Sequence, residues 1–312
     1  MSTVPMKQLQ IFYPADEIMP DTAQHSLPVR PHPLPVQMVS DLVTHALAED
    51  WGRLGDITSA AVIDDTAQAH AIIRAREDGV LAGLAFAQTA FEKSDTALQI
   101  KTHLTDGHAL LAGTEVMTIT GPAKPILAAE RVALNFLGHM SGIASQTAEL
   151  CAMVAHTPAR ICDTRKTTPG LRSVEKYAVR AGGGVNHRFG LDDAILIKDN
   201  HIAVAGGVTT AIARAQAHVG HMMRIEVEVD TLDQLNEALA AGAEILLLDN
   251  MNPDQLRDAV TRIDGRAISE ASGRVNASTV VAIAEAGVDY ISVGRITHSA
   301  PCLDLGLDID FA

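Results

Sequence analysis

From residue 160 onward, short apolar runs recur about 20 to 35 residues apart, and nearly every run ends on polar, chemically capable residues. The candidate strands cover 160–163, 194–198, 224–229, 245–249, 267–271 and 290–293. Helical patterns fill the later intervals at 232–241, 253–263 and 277–286, with Gly242, Gly265 and Gly287 at or near their ends as helix stops. Strands separated by helices form right-handed βα units on a parallel sheet, and continuous apolar runs such as Ile-Leu-Leu-Leu suit a sheet covered on both faces. The strand ends carry Asp163-Thr-Arg-Lys, Lys198-Asp-Asn-His, Glu228, Asp249-Asn, Ser272-Gly and Gly294-Arg. An open sheet spreads such ends along one edge, whereas a barrel gathers them at one mouth. The pattern therefore predicts an α/β barrel, incomplete because only about six strands are visible.

Ahead of this repeat the chain divides in three. Residues 1–35 hold seven of the thirteen prolines, which fix φ and remove donors, and read as an extended arm. Residues 36–125 read as a small α+β domain. A helix begins near Met38, a glycine-punctuated loop runs from Ala48 to Thr58, a second helix covers 83–93, and β-like runs lie at 71–74, 99–102 and 115–120. The catalytic domain is expected over 126–300, opening with helical patterns at 126–155, and a tail at 301–312 is expected to pack with the small domain.

Charge narrows the function. The chain carries a formal net charge of -14, yet between Arg160 and His201 there are eight Lys or Arg against five Asp or Glu. An acidic protein that concentrates cations around a glycine run handles a small anion there, and its acidic surface repels nucleic acid. No uncharged apolar run approaches the ~18 residues that span a bilayer. The N-terminus shows no basic region followed by an apolar one, and Cys151, Cys162 and Cys302 lack metal-type spacing; the expectation is a cytoplasmic protein with reduced thiols.

Several residues stand out, each with a structural alternative. Glu228 and Asp249 end apolar strands, where paired carboxylates hold Mg²⁺ directly or through water, or stabilise a developing cation; a strand-end Asp also caps the next helix. Glu226 and Glu228 share one strand face, and the pattern does not choose between them. Lys198 suits a Schiff base, a phosphate contact, or a plain ion pair. The run Gly182-Gly-Gly-Val-Asn-His187-Arg188 offers backbone that approaches an anion closely, beside an arginine able to bind it bidentately. Ser272, Gly273 and Gly294 sit in adjacent βα loops, which cradle phosphate in barrels or simply turn the chain. Arg131, in an amphipathic helical pattern, reads as a surface arginine.

The segments Arg165-Lys-Thr-Thr-Pro-Gly-Leu-Arg, Lys176-Tyr-Ala-Val-Arg, Gly-Gly-Gly-Val-Asn-His-Arg and Leu-Ile-Lys-Asp-Asn-His make a resemblance specific. So do Glu-Asp-Trp-Gly-Arg-Leu-Gly-Asp-Ile-Thr, Glu-Val-Glu-Val-Asp, Leu-Leu-Asp-Asn and Ser-Val-Gly-Arg-Ile-Thr-His-Ser. From about Val39 to Asp310 the chain resembles the quinolinate phosphoribosyltransferases, decarboxylating enzymes of NAD biosynthesis. That resemblance implies an N-terminal α/β sandwich beside the incomplete barrel. It implies a homodimer, or a higher homo-oligomer, in which each barrel mouth is covered by the neighbour's small domain, and no nucleic-acid or membrane partner. It implies quinolinate and 5-phosphoribosyl diphosphate as substrates, Mg²⁺ as cofactor, and nicotinate mononucleotide, diphosphate and CO₂ as products. Residue by residue, Arg131 (from the partner subunit), Arg165, Lys166, His187, Arg188 and Lys198 match the cationic cluster for carboxylates and diphosphate. Glu228 and Asp249 match the acidic pair near ribose and metal, Glu228 being preferred to Glu226 by its offset to the Asp. Ser272, Gly273, Gly294 and His298 match the 5-phosphate end, and catalysis would rest on Lys166, Lys198, Glu228 and Asp249. Thr168 departs from an expected aliphatic residue without removing a charge.

Three other readings compete: a molybdenum-transport-associated paralogue of the same fold, a Schiff-base aldolase using Lys198, and a phosphometabolite-binding regulatory protein. The paralogue would not need Arg131, Arg165, Lys166, His187 and Arg188 together.

Overall fold

A computed structural model describes residues 31–311, so most of the proline-rich arm lies outside the described residues. Two compact units emerge, one running to Gly138 and resuming at Leu303, the other spanning His139–Cys302.

The first unit begins with helices α1 (Val36–Trp51) and α2 (Ile57–Val62). Val39, Val43 and Leu47, spaced for one helix face, are buried, and α1 packs on α3. The Asp56 carboxylate starts α2 by accepting the Ser59 amide, inside the stretch expected to be only a loop. Strands β1 (Gln68–Ala75) and β2 (Gly79–Val80), helix α3 (Leu84–Ser94), and strands β3 (Gln99–Thr102), β4 (Ala109–Leu110) and β5 (Glu115–Pro122) follow. Strand β12 (Leu305–Phe311) returns from the far end of the chain to pair antiparallel with β1, giving the sheet order β12-β1-β5-β3. Arg74 and Arg76 both bind Asp308 across that seam, at 2.9 and 2.5 Å. The helices and this antiparallel sheet make up the α/β sandwich. Strand β5 ends on Gly121-Pro122, and α4 (Ala123–Val154) starts immediately after. The unit boundary falls within α4, between Gly138 and His139.

The second unit holds the six repeated strands: β6 (Arg160–Cys162), β7 (Ile195–Ile197), β8 (Ile225–Val229), β9 (Ile245–Asp249), β10 (Ile268–Ser272) and β11 (Tyr290–Ser292). They form one parallel sheet in the order β6-β11-β10-β9-β8-β7. Strands β6 and β7, consecutive along the chain, are thus its two open edges. The intervening segment fills the seam: Val185 bridges β6 at Cys162, and Arg188 reaches the Ala194 carbonyl at the start of β7. This is the incomplete α/β barrel that the strand spacing predicts.

Helices α5 (Arg172–Ala181), α6 (Asp199–Ala205), α7 (Val208–His218), α8 (Leu232–Ala240), α9 (Pro253–Ile263), α10 (Val280–Ala284) and α11 (Arg295–His298) complete the unit. Their starts are legible: Thr231 and Gln234 form a capping box for α8, and Asn252 caps α9 with Pro253 at its first position. Helix α10 is shorter than the expected 277–286, and α5, α6 and α7 were not expected from periodicity.

Candidate active site

Side chains two apart on a strand point the same way. On β6, β8 and β10, which alternate around the sheet, the inward positions at mid-height are Cys162, Glu226 and Glu270, all more than nine-tenths buried. Alternate strands contribute to one layer of a barrel core, and that layer is ordinarily aliphatic. Here it is ionisable, and it lines a cavity of about 660 Å³ together with Arg160, His187 and Arg188. Two residues further along the same strands lie Glu228 and Ser272, and β9 contributes Asp249. These belong to the C-terminal mouth.

The loop after β6 supplies the first cations. It is braced from below by a buried pair: Lys176 of α5 donates to the Asp163 carboxylate, and both side chains are 0% exposed. Asp163 also accepts from Asn186 Nδ2 at 2.5 Å and from the His187 amide at 2.9 Å, while Lys176 donates to the His187 carbonyl at 2.9 Å. Burial pushes the Asp163 carboxyl up, and Lys176 and these hydrogen bonds pull it back. Glu175, fully buried, holds the Thr168 amide at 3.1 Å and His139 at 3.1 Å. Asp163, Glu175, Lys176 and Asn186 thereby fix the two segments that present Arg165, Lys166, His187 and Arg188.

Arg165 and Arg188 each have a buried Nε without a hydrogen-bond partner. Burial lowers the Arg188 pKa, and the nearby charge of Arg165 lowers it further; Glu226 and Asp193 offset this in part. Two guanidiniums that repel one another and leave donors unused have the chemistry to bind an anion.

His187 turns into the barrel. Its Nε2 lies 2.8 Å from Glu226 Oε2 and 3.7 Å from Glu270 Oε1, and its Nδ1 accepts the Arg188 amide at 2.8 Å. Burial opposes charging of the ring, but the Glu226 hydrogen bond and the charges of Glu270 and Glu226 outweigh it and raise its pKa. The amide contact resists that protonation, because a proton on Nδ1 would face the amide hydrogen; the neutral Nε2–H form fits this geometry. Glu270 is raised to about 7, first by burial and then by Glu226. The Cys162 thiol is held well above its usual range by burial and the surrounding carboxylates, so it is no nucleophile.

At the mouth, Lys198 Nζ contacts Glu228 Oε2 at 2.5 Å. An ammonium used this way is not a free amine, which argues against the Schiff-base reading. Asp249 accepts from Asn250 Nδ2 at 2.5 Å, and the Asn250 backbone adopts φ 53°. Gly273 has φ +104°, and a Cβ there would stand 2.4 Å from Asn250 Oδ1, so only glycine fits. A Cβ on Gly294 would lie 3.0 Å from Lys166 Cδ and 3.5 Å from His298 Nε2, which brings these three residues into one loop cluster. Thr297 Oγ1 ties the cluster by donating to the Lys166 carbonyl at 2.7 Å. The expected residues Arg165, Lys166, His187, Arg188, Lys198, Glu228, Asp249, Ser272, Gly273, Gly294 and His298 all belong to the barrel unit. Arg131 lies on α4 in the first unit and is exposed.

With this geometry in place, comparison with known proteins is decisive. A model of the quinolinate phosphoribosyl transferase C-terminal domain matches residues 143–308, and one of the N-terminal domain matches 56–141. The chain belongs to the quinolinate phosphoribosyl transferase family. It is 44% identical over 268 residues to a probable nicotinate-nucleotide pyrophosphorylase [carboxylating] of Bacillus subtilis, covering 86% of this chain and 92% of that one. A chloroplastic nicotinate-nucleotide pyrophosphorylase [carboxylating] of Oryza sativa is 43% identical over 307 residues, covering 93% and 82%. The solved nicotinate-nucleotide pyrophosphorylase of Francisella tularensis superposes with a TM-score of 0.86 at 40% identity, covering 89% of this chain and 98% of that one.

Two features escaped the sequence reading. Glu226 was weighed against Glu228 and set aside on its offset to Asp249, and Glu270 was given no role, whereas both Glu226 and Glu270 line the cavity inside the barrel. The glycine run was read as an approach to an anion. In the structure a Cβ on Gly182 would lie 2.3 Å from the Ala144 carbonyl, and one on Gly184 would lie 2.8 Å from Thr147. These two glycines let the chain pack closely on α4.

Proposed function

We propose that this protein transfers the phosphoribosyl group of 5-phosphoribosyl diphosphate to quinolinate with decarboxylation, giving nicotinate mononucleotide, diphosphate and CO₂. The observation that carries the reading is the pair of guanidiniums Arg165 and Arg188, each with a buried Nε that has no hydrogen-bond partner. A dicarboxylate supplies the acceptors they lack. Membership of the family supports the same substrates.

In this reading Arg165, Arg188 and Lys198 hold the quinolinate carboxylates, with His187 beside them. Lys166 faces the diphosphate. Ser272, Gly273, Gly294 and His298 cradle the 5-phosphate. Glu228 and Asp249 lie under the ribose, where they stabilise positive charge at C1 as the C1–oxygen bond breaks and the ring nitrogen forms its bond to C1. The quaternised ring then accepts the electron pair left at C2 when CO₂ departs, and a proton replaces the carboxylate. Protein groups act through position and charge, and no covalent enzyme intermediate is needed. Glu228 and Asp249 are hard oxygen donors that suit Mg²⁺, which would offset charge on the leaving diphosphate. Because Glu228 is engaged by Lys198 and Asp249 by Asn250, these carboxylates would hold the ion through water.

Arg131 is assigned to the partner subunit's site in a cytoplasmic homodimer. Among the described residues, no helix is long and apolar enough to cross a membrane. Mixing inactive Arg131→Ala and Glu228→Ala subunits should restore part of the activity; no recovery after confirmed subunit exchange would remove the shared site. The primary test is an assay with quinolinate or nicotinate, 5-phosphoribosyl diphosphate and Mg²⁺. Nicotinate mononucleotide and CO₂ in equal amounts from quinolinate alone support the reading. Turnover of nicotinate without CO₂, or no turnover of either, overturns it.

A further inference from the structure

The ionisable layer inside the barrel has no part in the reaction proposed above, and two of its atoms, Glu226 Oε1 and Glu270 Oε1, are buried without hydrogen-bond partners. His187 Nε2 and the two carboxylates offer ligand atoms within 4.8 Å of one another, which raises the prospect of a metal ion. The hydrogen bonds at the other ring nitrogen argue against it. The Arg188 backbone N–H can only donate, so His187 Nδ1 carries a lone pair and the ring proton sits on Nε2. An ion on Nε2 would strip the ring of both protons or break the contact with Arg188.

The same fact gives the layer a different role. A proton fixed on Nε2 needs an acceptor, and Glu226 Oε2 supplies it at 2.8 Å. With its proton held there, His187 presents Nδ1 to the Arg188 amide. At its far end Arg188 donates Nη1 to the Ala194 carbonyl at 2.8 Å, which leaves its buried Nε unspent. We infer that Glu226 is a positioning residue: through the Nε2–H tautomer of His187 it fixes the backbone of Arg188, and so sets the guanidinium for the substrate carboxylate. This rests on the reading of Arg188 as a quinolinate ligand. This role needs an acceptor at position 226 and no charge there, so glutamine should serve and an apolar side chain of the same length should not.

Glu226→Met and Glu226→Gln are both uncharged and near-isosteric, and of the two only glutamine keeps an oxygen that can accept from His187. Glu226→Met should raise KM for quinolinate about tenfold, the scale of one buried hydrogen bond. KM for 5-phosphoribosyl diphosphate should stay within about twofold, and Glu226→Gln should return the quinolinate KM to within about threefold of the parent. Because the effect passes through Arg188, the Glu226→Met/Arg188→Ala double variant should bind quinolinate no worse than Arg188→Ala alone. Imidazole ¹⁵N shifts of His187 should report the Nε2–H tautomer in the parent and in Glu226→Gln, and a mixture of tautomers in Glu226→Met. Equal behaviour of the two single variants, an equal rise in both KM values, or additivity in the double variant would overturn the inference. An Arg188→Ala variant with unchanged quinolinate KM would instead remove the substrate reading on which it rests.

Discussion

The barrel unit holds two charged clusters built on opposite principles. In one, Asp163, Lys176, Asn186 and His187 join in a closed set in which each charge faces a counter-charge or several hydrogen bonds. In the other, Arg165 and Arg188 are near enough for the charge of one to lower the pKa of the other, and each keeps a buried Nε without a partner. Both clusters come from the same cation-rich stretch of sequence. Charge content does not separate a ligand site from a structural brace; what separates them is whether the fold has already supplied the partner.

Removing one member from each cluster tests that difference, and the brace should respond most. Lys176→Met leaves the buried Asp163 carboxylate uncompensated and should cost about 3–5 kcal/mol in urea unfolding, much of it recovered by adding Asp163→Asn. Arg188→Ala should leave stability nearly unchanged. It should raise KM for quinolinate by about 10- to 100-fold, the scale of a charged hydrogen-bonded contact, with KM for 5-phosphoribosyl diphosphate within about twofold in steady-state assays. Equal loss of both substrates would sink that division of roles. Gly273→Ala forces a Cβ onto Asn250 at φ +104° and should cost about 1–3 kcal/mol, with the phosphoribosyl substrate weakened more than quinolinate in calorimetric titration.

The smallest effect is one of pH. The Glu270 carboxyl is raised from 4.5 to about 7, so the folded state holds its proton more tightly than the unfolded chain does. The stability this provides is full below pH 4.5 and is lost as pH rises through about 7. Glu270→Gln mimics the protonated acid and should gain on the parent by about 1–2 kcal/mol between pH 5 and 8 in thermal melts. A constant difference across that range would mean that the carboxyl is not perturbed.

The sequence made the barrel legible because its strands are apolar runs of ordinary length, and all six agree with their expected spans to within one residue at each end. It hid α5 because the buried face of that helix carries Glu175 and Lys176 beside Val174, Ala178 and Val179. A charged pair in the core erases the apolar period by which an amphipathic helix is recognised. The candidate site was legible as a set of residue types at strand ends. The division between mouth and interior was not, since the positions of Glu226 and Glu228 differ only in height along one strand face. Strand β12 was also out of reach: its pairing partner lies more than 200 residues earlier, and local pattern carries no information about such a partner.

That long-range pairing has a consequence for synthesis. Residues 305–311 emerge from the ribosome after the whole barrel unit, yet they are the edge strand of the sheet formed by residues 68–122. The unit that is translated first therefore cannot close until the one translated second is complete, and throughout elongation β1 keeps an open edge. The order of folding is inverted with respect to the order of synthesis, and the nascent chain carries an unpaired strand for most of its time on the ribosome.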